Sequence, residues 1–125
     1  MIIHFLSVLA LAAQQTSPAN ATVAPTASAP VLALEQTAAL RCAAAIAVTA
    51  RLQEAGVEEA KNYPPLGERG REFFVRTVAK LIDDTGLTRE VLSDRLAGEA
   101  ELFLDKDRLW ATMPACLLML ETAGV

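Results

Sequence analysis

Apolar residues recur at helical spacing over most of the chain beyond residue 30, and this pattern predicts a series of helices. The first helix is expected over residues 31–55, between Pro30 and Gly56. One side of it is apolar and a second side carries only alanine, so neighbouring helices can approach both sides closely. The apolar side consists of Leu34, Ala38, Cys42, Ala45, Ile46, Thr49 and Leu52. This composition predicts a central position in a helical bundle.

A helix-breaking segment, residues 57–67, follows the first helix. It contains Tyr63-Pro64-Pro65 and a glycine, which disfavour helix and favour an extended connector. The second helix is expected over residues 68–85, with Gly86 as its stop. Its predicted inward stripe consists of Phe74, Val75, Val78, Leu81 and Ile82.

Capping residues mark the starts of the last two helices. Thr88 is a favourable N-cap for the third helix, and Asp105 or Asp107 is one for the fourth. Pro114 lies inside the fourth helix and removes one backbone donor, so a kink or a restart near Thr112 is expected. No strand pattern of comparable quality occurs. The sequence therefore predicts an all-α fold, a small bundle of about four helices.

The segment that precedes the first helix has a different composition. Residues 1–12 are apolar and uncharged and end in small residues, which is typical of a signal peptide and too short for a membrane span of roughly 20 residues. Residues 13–30 contain mainly Ala, Thr, Ser and Pro without charge, and this predicts a flexible tether. The folded domain is then residues 31–125, in an exported, periplasmic or secreted protein. A buried N-terminal helix is the alternative interpretation of residues 1–13.

The charge of the chain limits the classes of partner. The formal net charge is -4, whereas nucleic-acid binding needs a basic surface. Residues 78–98 resemble a helix-turn-helix with Gly86 at the turn, but acidic residues outnumber basic ones on the second helix and in the residues that follow it. We therefore expect no nucleic-acid partner. Only nine uncharged residues separate Arg41 from Arg51, so we also expect no transmembrane span in the mature chain.

The two cysteines of the chain, Cys42 and Cys116, each fall on the inward stripe of a predicted helix. The first and last helices of a bundle are often neighbours, and export would place both thiols in an oxidising compartment. A disulfide between them is predicted. Two unpaired core cysteines are the alternative, and a redox-catalytic role is not expected because there is no C-x-x-C pair.

No catalytic constellation is visible in the sequence. His4 is the only histidine and would be removed with the signal peptide, so a nucleophile would lack its usual base. Asp83 with Asp84, and Glu99 with Glu101, are close in sequence but point in different directions on a helix. A solvated charged face explains them. No metal-ligand pattern and no cofactor motif is present, so neither a metal nor a cofactor is expected.

One surface departs from the amphipathic pattern and is the predicted contact surface. On the second helix Phe73 falls away from the apolar stripe and among Arg69, Arg76 and Lys80. An aromatic ring amid positive charge suits an anionic ligand or an acidic protein surface. Alternatively, the connector that contains Tyr63 covers Phe73.

Two function classes are compatible with these observations. The first is an exported interaction or structural module that contacts another envelope component, and we favour it because no catalytic set is visible. The alternative is an enzyme that uses carboxylates in a cleft between helices.

Processing is the first testable expectation. The exported product should begin at Ala13, after the small-x-small residues 10–12, or at Thr22, after residues 19–21. Intact-mass measurement of material from the native host gives the mature start directly. A soluble cytoplasmic form that retains Met1 would contradict the export hypothesis.

Overall fold

The computed structural model describes residues 31–125, so the predicted signal peptide and tether lie outside the described residues. Within this range all regular structure is helical and no strand occurs. The elements are α1 (Leu34–Glu54), a 3₁₀ helix (Glu58–Asn62), α2 (Gly67–Thr85), α3 (Arg89–Leu102) and α4 (Lys106–Ala123). The prediction of an all-α bundle of four helices is confirmed.

Helix α1 lies at the centre of the bundle, because α2, α3 and α4 all pack against it. Its small residues permit this arrangement: Ala43, Ala44 and Ala45 are buried, and so is the larger Ile46. The main core cluster joins α1 to α2 and α4, whereas a second cluster around Leu92 joins α1 to α2 and α3. The predicted central position of the first helix therefore describes the fold correctly.

A disulfide joins Cys42 of α1 to Cys116 of α4, with 5.0 Å between their Cα atoms. Both cysteines are buried members of the main core cluster. The bridge closes a separation of 74 residues, which on the chain-entropy view stabilises the fold by roughly 4 kcal/mol. The predicted link between the first and last helices is confirmed.

Helix α2 approaches α1 closely at Gly70. A Cβ atom at this position would lie 2.7 Å from Cγ2 of Ile46, a distance that real Cβ atoms do not adopt. The glycine is therefore required by packing. The buried positions of α2 follow from this approach and consist of Gly70, Phe73, Thr77 and Leu81.

Local sequence signals set the helix ends. The hydroxyl of Thr88 accepts the backbone N–H of Val91, and the carboxylate of Asp105 accepts that of Asp107, as capping predicts. Gly86 ends α2 with a left-handed φ of 68°. In contrast, α1 begins at Leu34 and not near residue 31, because the Gln36 side chain accepts the Ala33 N–H and the helix starts after Ala33.

The connector between α1 and α2 is only partly extended. A 3₁₀ helix occupies Glu58–Asn62, and extended backbone resumes at Tyr63, which is the residue before a proline. Gln53 holds this connector to α1: its amide Nε2 donates to the carbonyl oxygens of Ala60, Tyr63 and Pro64, and its Oε1 accepts the N–H of Leu66. One amide side chain thus hydrogen-bonds to four backbone groups between residues 60 and 66.

Helix α4 continues through Pro114, and the expected restart near Thr112 does not occur. Pro114 is exposed, whereas Met113 and Cys116 beside it are buried against the rest of the bundle. The packing and the disulfide therefore outweigh the loss of one helical hydrogen bond. Among residues 31–125, no helix is long and apolar enough to cross a membrane.

The close approach at Gly70 can be tested by comparing it with Gly98, a helical glycine that has no close neighbour. Gly70→Ala should destabilise the fold by about 1–3 kcal/mol because the new methyl group meets Ile46. Gly98→Ala should be neutral or stabilising by up to about 1 kcal/mol, since a Cβ there meets nothing within 4 Å. Thermal unfolding of both variants measures the difference. Equal effects of the two substitutions would contradict the packing role of Gly70.

Candidate functional site

The contact surface predicted from the sequence does not form as expected, because Phe73 lies in the core and is only 4% exposed. The ring belongs to the cluster that α2 forms with α1 and α4, and Tyr63 of the connector packs against the same cluster. This corrects the expectation of an exposed aromatic ring. The physical reason is the approach of α2 to α1 at Gly70, which turns the Gly70 and Phe73 side of the helix inward.

The three cations of the predicted surface each have an acidic partner. Arg69 reaches α4, where it donates to Glu121 at 3.0 Å and to the backbone oxygen of Val125 at 3.0 Å. Arg76 pairs with Glu72, one turn earlier on α2. The contacts of Arg69 join α2 to the C-terminal part of the domain, and the Arg76–Glu72 pair lies within α2. Both leave little net positive charge for a ligand.

Lys80 has the same kind of arrangement. Its ammonium donates to Asp84 at 2.7 Å. This hydrogen bond, and to a smaller extent the attraction between the two charges, raises the pKa of Lys80. The pair lines a depression of about 240 Å³ between the start of α1 and α2. The lysine is thus already neutralised by its own helix.

A groove of about 430 Å³ lies between α2 and α3 and is here called the α2–α3 groove. Helices α2 and α3 both pack on α1 far more extensively than on each other, which leaves this space open. Its apolar lining consists of Phe74, Val75, Val78, Ala79, Ile82 and Leu96. Its polar lining consists of Asp83, Arg89 and Ser93.

The apolar lining is only partly covered by the fold. Phe74, Val78 and Leu96 are half-buried, and Val75 at the rim is 59% exposed. The sequence pattern placed Val75 in the core, and the structure corrects this. An open apolar groove of this size is within the range that proteins use for binding.

A second groove of about 260 Å³, here called the α1–α2 groove, lies on the other side of Phe74, which lines both. Its floor is made of small residues on the two helices: Ala47, Ala50, Gly67 and Gly70. Three charged side chains line it, Arg51, Glu54 and Arg71. The two grooves therefore flank one aromatic ring and differ in charge.

Sequence reasoning missed both grooves, although one signal pointed to them. Phe73 and Phe74 are consecutive, and consecutive helical residues point about 100° apart, so one inward stripe cannot bury both. The sequence shows that α2 has two apolar sides. It does not show which of them a neighbouring helix covers.

Carboxylates line all three concave surfaces, and the depression beside Lys80 has two of them, Glu35 and Asp84. The α2–α3 groove contains one carboxylate, Asp83, and the α1–α2 groove contains one, Glu54. Within residues 31–125, no group of three or more His, Cys, Asp or Glu side chains is placed to hold a metal ion.

Comparisons with protein-family models, with curated proteins and with solved structures find no match for this chain. Its function is therefore argued from the geometry and chemistry of its own surface.

The assignment of Phe73 to the core and Val75 to the rim of the groove can be tested by truncation. Phe73→Ala should cost about 3–5 kcal/mol of unfolding free energy because it empties a buried site. Val75→Ala, at a position that the sequence pattern ranks as core, should cost less than about 1 kcal/mol because the side chain is mostly exposed. Denaturant unfolding measures both. A larger loss for Val75→Ala than for Phe73→Ala would contradict the observed orientation of α2.

Proposed function

We propose that this protein is an exported helical interaction module that binds an apolar segment of another envelope component in the α2–α3 groove. The observation that carries the proposal is the open apolar groove, with Val75 59% exposed at its rim. Leaving these side chains in water costs free energy, about 25 cal/mol for each Å² of apolar surface. A partner that covered them would recover that free energy.

The groove is a better docking site than the exposed apolar side of α4. Helix α4 also exposes apolar residues, including Leu118, which is 70% exposed. That surface is the convex outer side of a helix, whereas the α2–α3 groove is concave and can surround an inserted side chain. Single exposed leucines are common on protein surfaces and need no partner.

Export of the module is supported by its disulfide. Cys42 and Cys116 are bonded, and residues 31–125 contain no free cysteine. Such structural disulfides persist in oxidising compartments and are rare in the cytosol of mesophiles. Together with the signal-like residues 1–12, this favours a role outside the cytoplasm.

The proposal predicts the outcome of affinity capture from the envelope fraction with three versions of the mature chain. Val75→Asp places a carboxylate at the rim of the groove and should abolish capture of any component that binds there. Leu118→Asp adds the same charge to a position on α4 that is somewhat more exposed, and it should leave capture unchanged. Both variants should keep nearly wild-type stability, because both side chains are exposed.

The comparison between the variants decides the outcome. A component bound by the wild type and by Leu118→Asp, but not by Val75→Asp, would support the proposed function. Identical sets of captured proteins with all three baits would contradict it, because no binding would then depend on the groove.

A further inference from the structure

The charges around Phe74 indicate what kind of segment the α2–α3 groove accepts. Arg51 and Arg71 line the adjoining α1–α2 groove, and neither guanidinium makes a hydrogen bond or an ion pair within residues 31–125. In this they differ from Arg69 and Arg76, which are paired. With Glu54 in the same groove, two cations face one anion at this end.

The opposite end of the α2–α3 groove is electrostatically balanced. Asp83 and Arg89 line it together, one acidic and one basic side chain. Asp83 also contributes to the attraction felt by Lys80, so it is part of a mixed surface. Of the two grooves, it is therefore the α1–α2 groove, with Arg51 and Arg71, whose lining has an excess of positive charge.

The walls of the groove also limit the backbone conformation of a bound segment. Residues that line it belong to α2 and α3, whose interior backbone donors and acceptors are used within each helix. No strand edge is available to pair with an extended peptide in residues 31–125. A bound segment must satisfy its own backbone hydrogen bonds as it leaves water, and a helix does this.

We infer that the partner segment is an amphipathic helix whose apolar side fills the α2–α3 groove and whose one end carries carboxylates that meet Arg51 and Arg71. This rests on the proposed function and specifies its ligand. The path along α2 from Arg71 to Ile82 is about 16 Å, so a helix of about three turns spans it. Arginine suits this role because its planar guanidinium binds carboxylates with two parallel hydrogen bonds.

Designed peptides test the inference with the whole mature chain. The first is a labelled helix of about 14 residues with leucines at i, i+3, i+4 and i+7 and two glutamates in its first turn. The second has glutamine in place of both glutamates. The third carries the glutamates in its last turn and the leucine pattern in reverse order, so that it presents the same surface when it binds in the opposite direction. Fluorescence anisotropy at low salt measures the dissociation constants.

We expect both glutamate peptides to bind about tenfold more tightly than the glutamine peptide, since a groove can accept either helix direction. At about 1 M salt, where the Debye length is roughly 3 Å, this preference should disappear. The double variant Arg51→Gln, Arg71→Gln should bind all three peptides with the affinity that the wild type has for the glutamine peptide. Arg108→Gln removes an exposed arginine from α4, outside the grooves, and should retain the preference.

The results separate this inference from the proposed function. Equal binding of the glutamate and glutamine peptides, lost in Val75→Asp, would overturn the acidic specificity while the groove remained a docking site. If no peptide bound at millimolar concentration, the inference that the ligand is a helix would be overturned. The proposed function would still be tested separately by the capture experiment. Labelled dodecanoate is measured in the same assay. If it bound while no peptide did, the groove would be a site for an anionic amphiphile, and the inference would be overturned.

Discussion

Close packing around α1 is the constraint on which the rest of the domain depends. Three helices lie against it, and its alanines allow them to approach. The approach is closest where Gly70 of α2 meets Ile46, and the Cys42–Cys116 disulfide fixes α4 to the same helix. Since α2 and α3 are each held by α1 more than by each other, the groove between them follows from the way the core is built.

The sequence predicts those features whose causes are local. A capping hydroxyl at Thr88, a carboxylate at Asp105 and a left-handed glycine at Gly86 act within a few residues, and the structure has all three. The disulfide was predictable because both cysteines fall on apolar stripes. The rotation of α2 was not, because the choice between Phe73 and Phe74 as the buried ring depends on a glycine that must fit against another helix.

Among the charged residues of the candidate site, some pairs can likewise be predicted from local spacing and others depend on tertiary packing. Glu72 and Arg76 lie one turn apart on a single helix, so their pairing can be expected from spacing alone. The partners of Arg69 are 52 and 56 residues away, and only the docking of α4 beside α2 brings them together. A surface that is basic on a helical wheel is therefore neutral in the fold. The arginines without an acidic partner that matter for the proposal, Arg51 and Arg71, line the α1–α2 groove.

Helix α2 is apolar on two sides, and the bundle covers only one of them. Gly70, Phe73 and Leu81 face the core, while Val75 and its neighbours on the other side line the groove. An apolar helical side normally packs against another element, so α2 has the composition of a helix enclosed on both sides. A partner helix in the groove would supply the missing neighbour, and because it would bind only the folded domain, it would also stabilise the bundle in proportion to RT ln(1 + [L]/Kd).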